Sequence, residues 1–534
     1  MEYVVGQFTA RDCLSVWRAR SFLSHLGYVH ILWQLVFVIY CHTVNSAVMH
    51  YLLISFEDPI PFYACGSWST KDCNILNTNY TVNQDCIRVR EPSGYCEGLY
   101  TTYPEYQYWR FHILGLNKNN YHVAWRVGLA SLFICIVVYL SCFKRIVSLK
   151  LLLSFLIIYP SLGYIVLMMG SMVQKGIVVK FEDALDTDFS KFVEFFNFSG
   201  MISEVMIALN IGTGLSFNIA SHSSFRSPCY SNSVVSAAIS CAVTIMAICT
   251  NAMMTCPYAF EFGIKPGAVF IDNMSYTFEK APRLLQSYHS NSFWLILTFS
   301  SITCSAMSLN IIIISCMLEM VAIRNPTAAR YPGFVAFAAV MTLYLITIPM
   351  LSNVSFNFIM EFKRVYNIII ILMVIIENIV FVLWYGLEKF SEDIHFMQGI
   401  QPRTWVKVGW VLSSVALSYV FCKEVYHIYF TSLDSMGSIA AWWMLIATII
   451  WIVLIPLIRL LVAVSKKRFL EMVHLDPTWG PQSEVLQRSR AMFTAQAMTK
   501  EYMYRQYHLQ AGIISRQKIS NIRNPDLGTN KQSA

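Results

Sequence analysis

Ala208-Leu209-Asn210-Ile211-Gly212-Thr213-Gly214 interrupts an otherwise apolar stretch in the middle of this chain. If the flanking residues cross a bilayer, the interruption lies where no water reaches an unpaired backbone group. Non-helical chain at that depth must line a cavity buried within protein. Gly212 and Gly214 supply the backbone freedom and the close approach that such a break needs.

The rest of the composition places the chain in a membrane. Of 534 residues, 56% are hydrophobic and only 13% charged, against roughly a quarter charged in globular domains. The mean hydropathy is +0.50. The net charge of +8 does not point to nucleic acid, because the basic residues fall in short clusters between apolar segments and in the C-terminal tail. No cleavable signal peptide is expected, since Met1 to Leu26 carries Arg11, Arg18 and Arg20 without an apolar core.

Ten stretches reach the roughly 17–29 residues that cross about 30 Å of hydrocarbon. They are Gly27–Phe56, Val127–Phe143, Leu151–Met169, Ile202–Ser221, Val234–Met254, Phe293–Val321, Phe334–Leu351, Val365–Phe390, Val406–Phe421 and Ala440–Val464. Lys144/Arg145/Lys150, Arg226, Arg324/Arg330, Arg403/Lys407 and Lys466-Lys467-Arg468 occupy alternate loops, which the positive-inside rule places in the cytoplasm. The opposite loops hold the glycosylation sequons at Asn79, Asn197, Asn273 and Asn353. Asn79 and Asn273 are the expected acceptors, because the other two adjoin spans. Both termini are then cytoplasmic, with residues 1–26 as an N-terminal segment, 27–465 as the membrane bundle and 466–534 as a tail with one helix near Gln482–Leu509.

Most of the fifteen cysteines lie inside apolar segments, where cysteine behaves as a small hydrophobe. Cys65, Cys73, Cys86 and Cys96 differ, since they share the long outside loop at 57–125. Pairing is expected there, and four cysteines allow three connectivities. The mildly basic tail either helps to set topology or favours anionic lipid. No cluster has metal-ligand spacing, and no nucleophile–base set or phosphate loop argues for an enzyme.

Several motifs carry a family likeness. Trp384-Tyr385-Gly386 continues through Phe390, Asp393-Ile394, Met397, Gly399, Pro402, Trp405 and Trp410. Cys65 and Cys73 flank Trp68; Ser221-His222-Ser223 precedes Phe225 and Cys229-Tyr230; Pro266-Gly267-Ala268 follows the next span. Together these resemble the neurotransmitter:sodium symporter family (solute carrier family 6) over nearly the whole chain. Gly6-Gln7-Phe8-Thr9, Thr213 and Trp479-Gly480-Pro481 lean towards its insect nutrient amino-acid branch. The resemblance implies an all-α polytopic membrane protein with the inverted-repeat, leucine-transporter-like bundle. It also implies a Cys65–Cys73 disulfide. Met1 to Thr9 resembles the end of the family's second helix, so the first span here matches the third helix. In that register the first helix and most of the second are expected to be absent, leaving the first repeat with three helices and the second complete.

Broken helices are where secondary transporters hold substrate and coupling ions, using N–H groups of one half and C=O groups of the other. The resemblance therefore implies a substrate site from Cys41, Asn210, Gly212, Thr213, Gly214 and Asn310. Cys41 stands where the family has a substrate-holding tyrosine. The same glycines would also serve a close helix crossing with no ligand. Sodium and chloride are the ions expected for the family, but the matching positions are altered. Ser308 keeps one hydroxyl of a sodium site and Leu309 has lost the other. The chloride-site positions match Glu204, Ala208, Ser240 and Thr244. Glu204 could supply fixed charge in place of chloride, carry a proton, or sit in water at its helix end. Asn45, His42 and His50 read as packing or cavity-lining groups. No resident cofactor is expected. The implied function is secondary active transport of an amino acid or related amine at the plasma membrane, with sodium coupling weakened. The alternative is a transport-inactive or truncated relative acting as a membrane partner.

Overall fold

The computed structural model describes residues 1–71, 73, 103–116, 123–143, 147–185, 198–261, 276–286, 288–352, 355–431, 436–469, 474, 476 and 479–493. Among the described residues the only regular elements are helices, apart from one isolated bridge between Val123 and Ser352. The main ones are α1 (Glu2–Thr9), α2 (Leu26–Ile54), α3 (Trp125–Phe143), α4 (Val147–Met172), α5 (Phe198–Ala208), α6 (Leu215–Ser221) and α7 (Cys229–Glu261). They continue with α8 (Asn291–Arg324), α9 (Pro332–Met350), α10 (Ser355–Glu377), α11 (Leu387–Gln398), α12 (Thr404–Thr431), α13 (Met436–Ser465) and α14 (Glu484–Met492).

Nine of the described helices are long and apolar enough to cross a membrane. The tenth expected span is the pair α5 and α6, two short helices separated at 209–214, so neither half reaches spanning length. Some helices also outrun their apolar cores. α10 begins at Ser355 rather than near Val365, because Glu361, Lys363 and Arg364 continue its helix beyond the apolar run.

Burial sorts the helices by depth in the bundle. The apolar window of α10 is 78% buried and that of α2 61%, whereas that of α7 is 6% buried. Composition does not distinguish them, because a helix bathed in hydrocarbon is apolar on all sides. α10 is held by Ile368, Ile369, Ile370 and Ile371, all buried, and packs against α2, α5, α12 and α13. α2 packs in turn against α3, α8 and α10. After Glu377 the helix widens into a π-turn over Asn378–Trp384, a form common at functional sites. Gly399, at φ +74°, closes α11 in the left-handed conformation that a side chain resists.

At one end of α2 an aromatic cluster closes the bundle. Tyr51 meets Phe62, Tyr108, Trp109, Phe278 and Phe299, and Trp109 stacks on Phe278 at 4.0 Å. Cys65 and Cys73 are disulfide-bonded beside it. The four sequon asparagines, and Cys86 and Cys96, lie outside the described residues.

At the other end, Asp12 caps the short helix Cys13–Val16 and receives two bonds from the Arg324 guanidinium, at 2.7 and 2.9 Å. Burial opposes the charge on Asp12, but the bonds from Arg324 and Ser15 outweigh it and hold the carboxyl below its ordinary value of 3.8. A lowered acid value contributes stability that is present above 3.8 and lost as pH falls through the folded value. Asp12→Asn is expected to cost about 1.5–3 kcal/mol near neutral pH, with the deficit shrinking in acid. Thermal unfolding of the purified protein over a descending pH series measures both.

Candidate functional site: the broken helix and its cradle

α5 ends by closing its last backbone bonds from Leu209, Asn210 and Ile211 to Val205, Ile207 and Met206. Asn210, Gly212 and Gly214 then take positive φ values of 53°, 77° and 76°. These turns let the chain pass hard against its neighbours. A Cβ on Gly212 would lie 2.6 Å from Val374 Cγ2 and 2.7 Å from the Ile370 carbonyl oxygen. One on Gly214 would lie 2.9 Å from His30 Nδ1.

The exposed backbone groups of the break are met by specific side chains. The Gly212 N–H donates to Glu2 Oε1 of α1 at 2.5 Å, and Gln34 Nε2 of α2 donates to the Thr213 carbonyl at 2.7 Å. The Thr213 hydroxyl donates to the Asn210 carbonyl and accepts from the Leu215 N–H, both at 3.1 Å, so it starts α6. Ser216 also donates to the Asn210 carbonyl, at 3.0 Å. Buried backbone groups left unpaired would each cost about 1–3 kcal/mol, and these contacts remove that penalty. Behind Glu2 stand Glu377 of α10 and His30 of α2, whose Nε2 is 3.3 Å from Glu377 Oε1.

A second set of polar groups lacks partners. Both amide atoms of Asn310 on α8, both of Asn45 on α2, and the Thr303 hydroxyl are buried without a hydrogen bond among the described residues. α2 and α8 run antiparallel, with Tyr51 against Phe299 near one end and Cys13, whose short helix lies against Gly27 at the start of α2, against Met320 near the other. Counting about ten residues along each helix from the Tyr51–Phe299 contact brings Cys41 level with Leu309 and Asn310. Asn45 falls within about a turn of Thr303 by the same count. Buried amides are nearly always satisfied, so this level of the bundle is where a small polar ligand or water would bind.

The expected site residues therefore divide. Asn210, Gly212, Thr213 and Gly214 form the break, and Cys41 and Asn310 share a level on two adjoining helices. Ser308 donates to the Ser305 carbonyl within its own helix at 2.7 Å, and Leu309 packs into the apolar core. Glu204 is half-exposed, paired with Lys363 Nζ at 2.9 Å and with Asn367 at 3.3 Å. Ala208 is exposed, Ser240 half-buried, and the exposed Thr244 donates to the Ser240 carbonyl of its own helix. Glu2, His30, Gln34 and Glu377 were missed as site residues by sequence reasoning. The available signal was Glu377, a carboxylate inside the span Val365–Phe390, which marks function by default.

The profile of the sodium:neurotransmitter symporter family matches residues 1–468. The chain is 20% identical over 424 residues to the sodium- and chloride-dependent glycine transporter 1 of Xenopus laevis, covering 77% of this chain and 67% of that protein. It is 21% identical over 523 residues to the sodium- and chloride-dependent neutral and basic amino acid transporter B(0+) of Homo sapiens, with coverage of 91% and 81%. The sodium- and chloride-dependent glycine transporter 2 of Xenopus laevis is 20% identical over 530 residues, with coverage of 90% and 65%.

Proposed function

Because the chain belongs to the sodium:neurotransmitter symporter family, we propose that it carries a small amino acid or related amine across the plasma membrane by alternating access around the break at 209–214. It is a multi-pass membrane protein and not an enzyme. The single observation that carries the substrate reading is the break itself, where α5 ends and α6 begins across non-helical chain at 209–214 inside the bundle. A zwitterion suits such a site, because the dipoles of two helix ends complement its charged ends without formal protein charge. Rocking of one group of helices against another would expose this level of the bundle to each side in turn.

The relatives' names carry sodium and chloride dependence, and this chain's ion positions differ. We place a weakened sodium requirement at Leu309, which offers no oxygen where a hydroxyl would replace a water of the ion. A transport-inactive partner is the less favoured reading, because the relatives are transporters. With the basic loops facing inward, both termini are cytoplasmic, Asn79 and Asn273 carry glycan, and residues 27–465 form the transport unit.

Uptake of radiolabelled neutral amino acids into cells expressing the protein at the surface, with and without sodium, tests this function. Saturable uptake above mock-transfected cells is expected, falling by less than about tenfold when sodium is replaced, the effect of less than ~1.4 kcal/mol of coupling. Absence of uptake for every neutral amino acid in surface-labelled cells would overturn it.

A further inference from the structure

Three titratable side chains from three helices meet behind the break, sealed from solvent. Glu2 comes from α1, His30 from α2 and Glu377 from α10, and the side chains of His30 and Glu377 are 1% and 0% exposed. The Glu2 carboxyl lies within hydrogen-bonding reach of Glu377 while its Oε1 accepts from the Gly212 N–H. His30 Nε2 lies 3.3 Å from Glu377 Oε1. Yet neither oxygen of Glu377, nor His30 Nε2, has a hydrogen-bond partner among the described residues. Two carboxylates offer only acceptors, so their contact becomes a hydrogen bond only when a proton lies on one of them. The other titratable groups facing this cluster are the Met1 amino group on α1, Tyr366 on α10 and Cys229 on α7. The break contributes backbone dipoles alone.

We propose that Glu2, His30 and Glu377 form a proton-binding site linked to the broken helix, through which a proton serves as a coupling ion. The proposal rests on the transporter reading of the break. With one proton shared by the two carboxyls, His30 neutral, and the Met1 amine neutral because its burial disfavours the charged form, the cluster carries one negative charge. A second proton, taken from water, forms an N–H bond at His30 Nε2 and gives an imidazolium against the Glu377 carboxylate, so the three sum to zero. On release that N–H bond breaks and the proton returns to water; no other covalent bond changes. A buried net charge is strongly disfavoured, so the loaded form suits a dry, closed bundle and the unloaded form suits one into which water has entered. Glu2 is the mechanical link, because the carboxyl that shares the proton also holds the Gly212 N–H. The His30 substitution isolates the proposed group, since the Met1 amine, Tyr366 and Cys229 are untouched by it.

The test uses the purified full chain in proteoliposomes, with wild type, His30→Gln, His30→Leu and Glu377→Gln compared by two readouts. Infrared difference spectra between about pH 3.5 and about pH 8 report protonated carboxyl and imidazolium bands without any need for transport. Amino-acid uptake under an imposed inward proton gradient reports coupling. The expected result is a protonated-carboxyl band that Glu377→Gln removes and an imidazolium band that both His30 variants remove. Proton-driven uptake is expected to rise roughly tenfold over the gradient-free rate in wild type and to lose that rise in the His30 variants. If the bands behave so but no uptake occurs under any gradient, the proton site stands and the transporter reading falls. If uptake occurs while the bands are absent or indifferent to His30, the proton site is overturned and the transporter reading stands.

Discussion

Gly212→Ala is expected to abolish substrate uptake and lower the stability of the protein by about 2–5 kcal/mol. Two costs add. At φ +77° an alanine Cβ meets the following carbonyl, a penalty of about 1–2 kcal/mol. The same Cβ would also lie 2.6 Å from Val374 and 2.7 Å from the Ile370 carbonyl, in the most deeply buried helix of the bundle. Overpacking of that kind costs about 1–3 kcal/mol, and backbone at Ile370 cannot swing aside as a side-chain tip would. Relief requires the break to move off α10, which also pulls the Gly212 N–H from Glu2. Thermal unfolding in detergent and surface-normalised uptake measure the two effects. Wild-type behaviour in both would mean that the break does not sit against α10 as described.

Arg490→Ala is the second large effect, expected at about 3 kcal/mol. Arg490 of α14 donates to Asp393 at 2.6 Å and to Glu392 at 3.2 Å, both on α11, while the Tyr385 hydroxyl donates to the other Asp393 oxygen at 2.7 Å. Burial pushes Asp393 above its usual carboxylate value, and the bonds from Tyr385 and Arg490 only partly restore it. A raised acid value means that ionising Asp393 costs stability as pH rises from 3.8 through the folded value. Removing Arg490 deepens that cost, so the deficit should grow with rising pH and be smallest in acid. Asp393→Asn in the same chain should recover most of it, because no buried charge is then left unpaired. The pair matters beyond α14: Trp479 stacks on Phe381, the Arg11 guanidinium lies 6.0 Å over its ring, and Gln482 donates to the Ala10 carbonyl. The tail at 479–493 thus joins the N-terminal segment to the π-turn that follows Glu377. Melting curves of the single and double variants across pH decide it.

What could be read from the sequence, and what could not, follows from the range of each interaction. The break at 208–214 was legible because glycine is a local signal in an apolar run, and the long spans were legible by length. Helix ends such as Ser355 were not, since polar turns beyond the hydrocarbon carry no hydropathy. The cradle was harder still. Glu2 and Gly212, or Gln34 and Thr213, are about two hundred positions apart, and nothing local to either predicts the pairing. The disulfide between Cys65 and Cys73 came from the family likeness, because four cysteines in one loop do not choose their partners. Glu377 was visible as a charge in an apolar span, but its meaning depends on His30 and Glu2 meeting it.

Equilibrium binding of a radiolabelled neutral amino acid to the purified protein, by scintillation proximity, most directly tests whether the bundle that carries the broken helix holds a substrate site. Saturable binding is predicted, weakened about tenfold or more by Asn310→Leu, which removes an amide worth about 1.5 kcal/mol to a bound polar ligand. No saturable binding of any neutral amino acid, or binding that Asn310→Leu and Gly212→Ala leave unchanged, would contradict it.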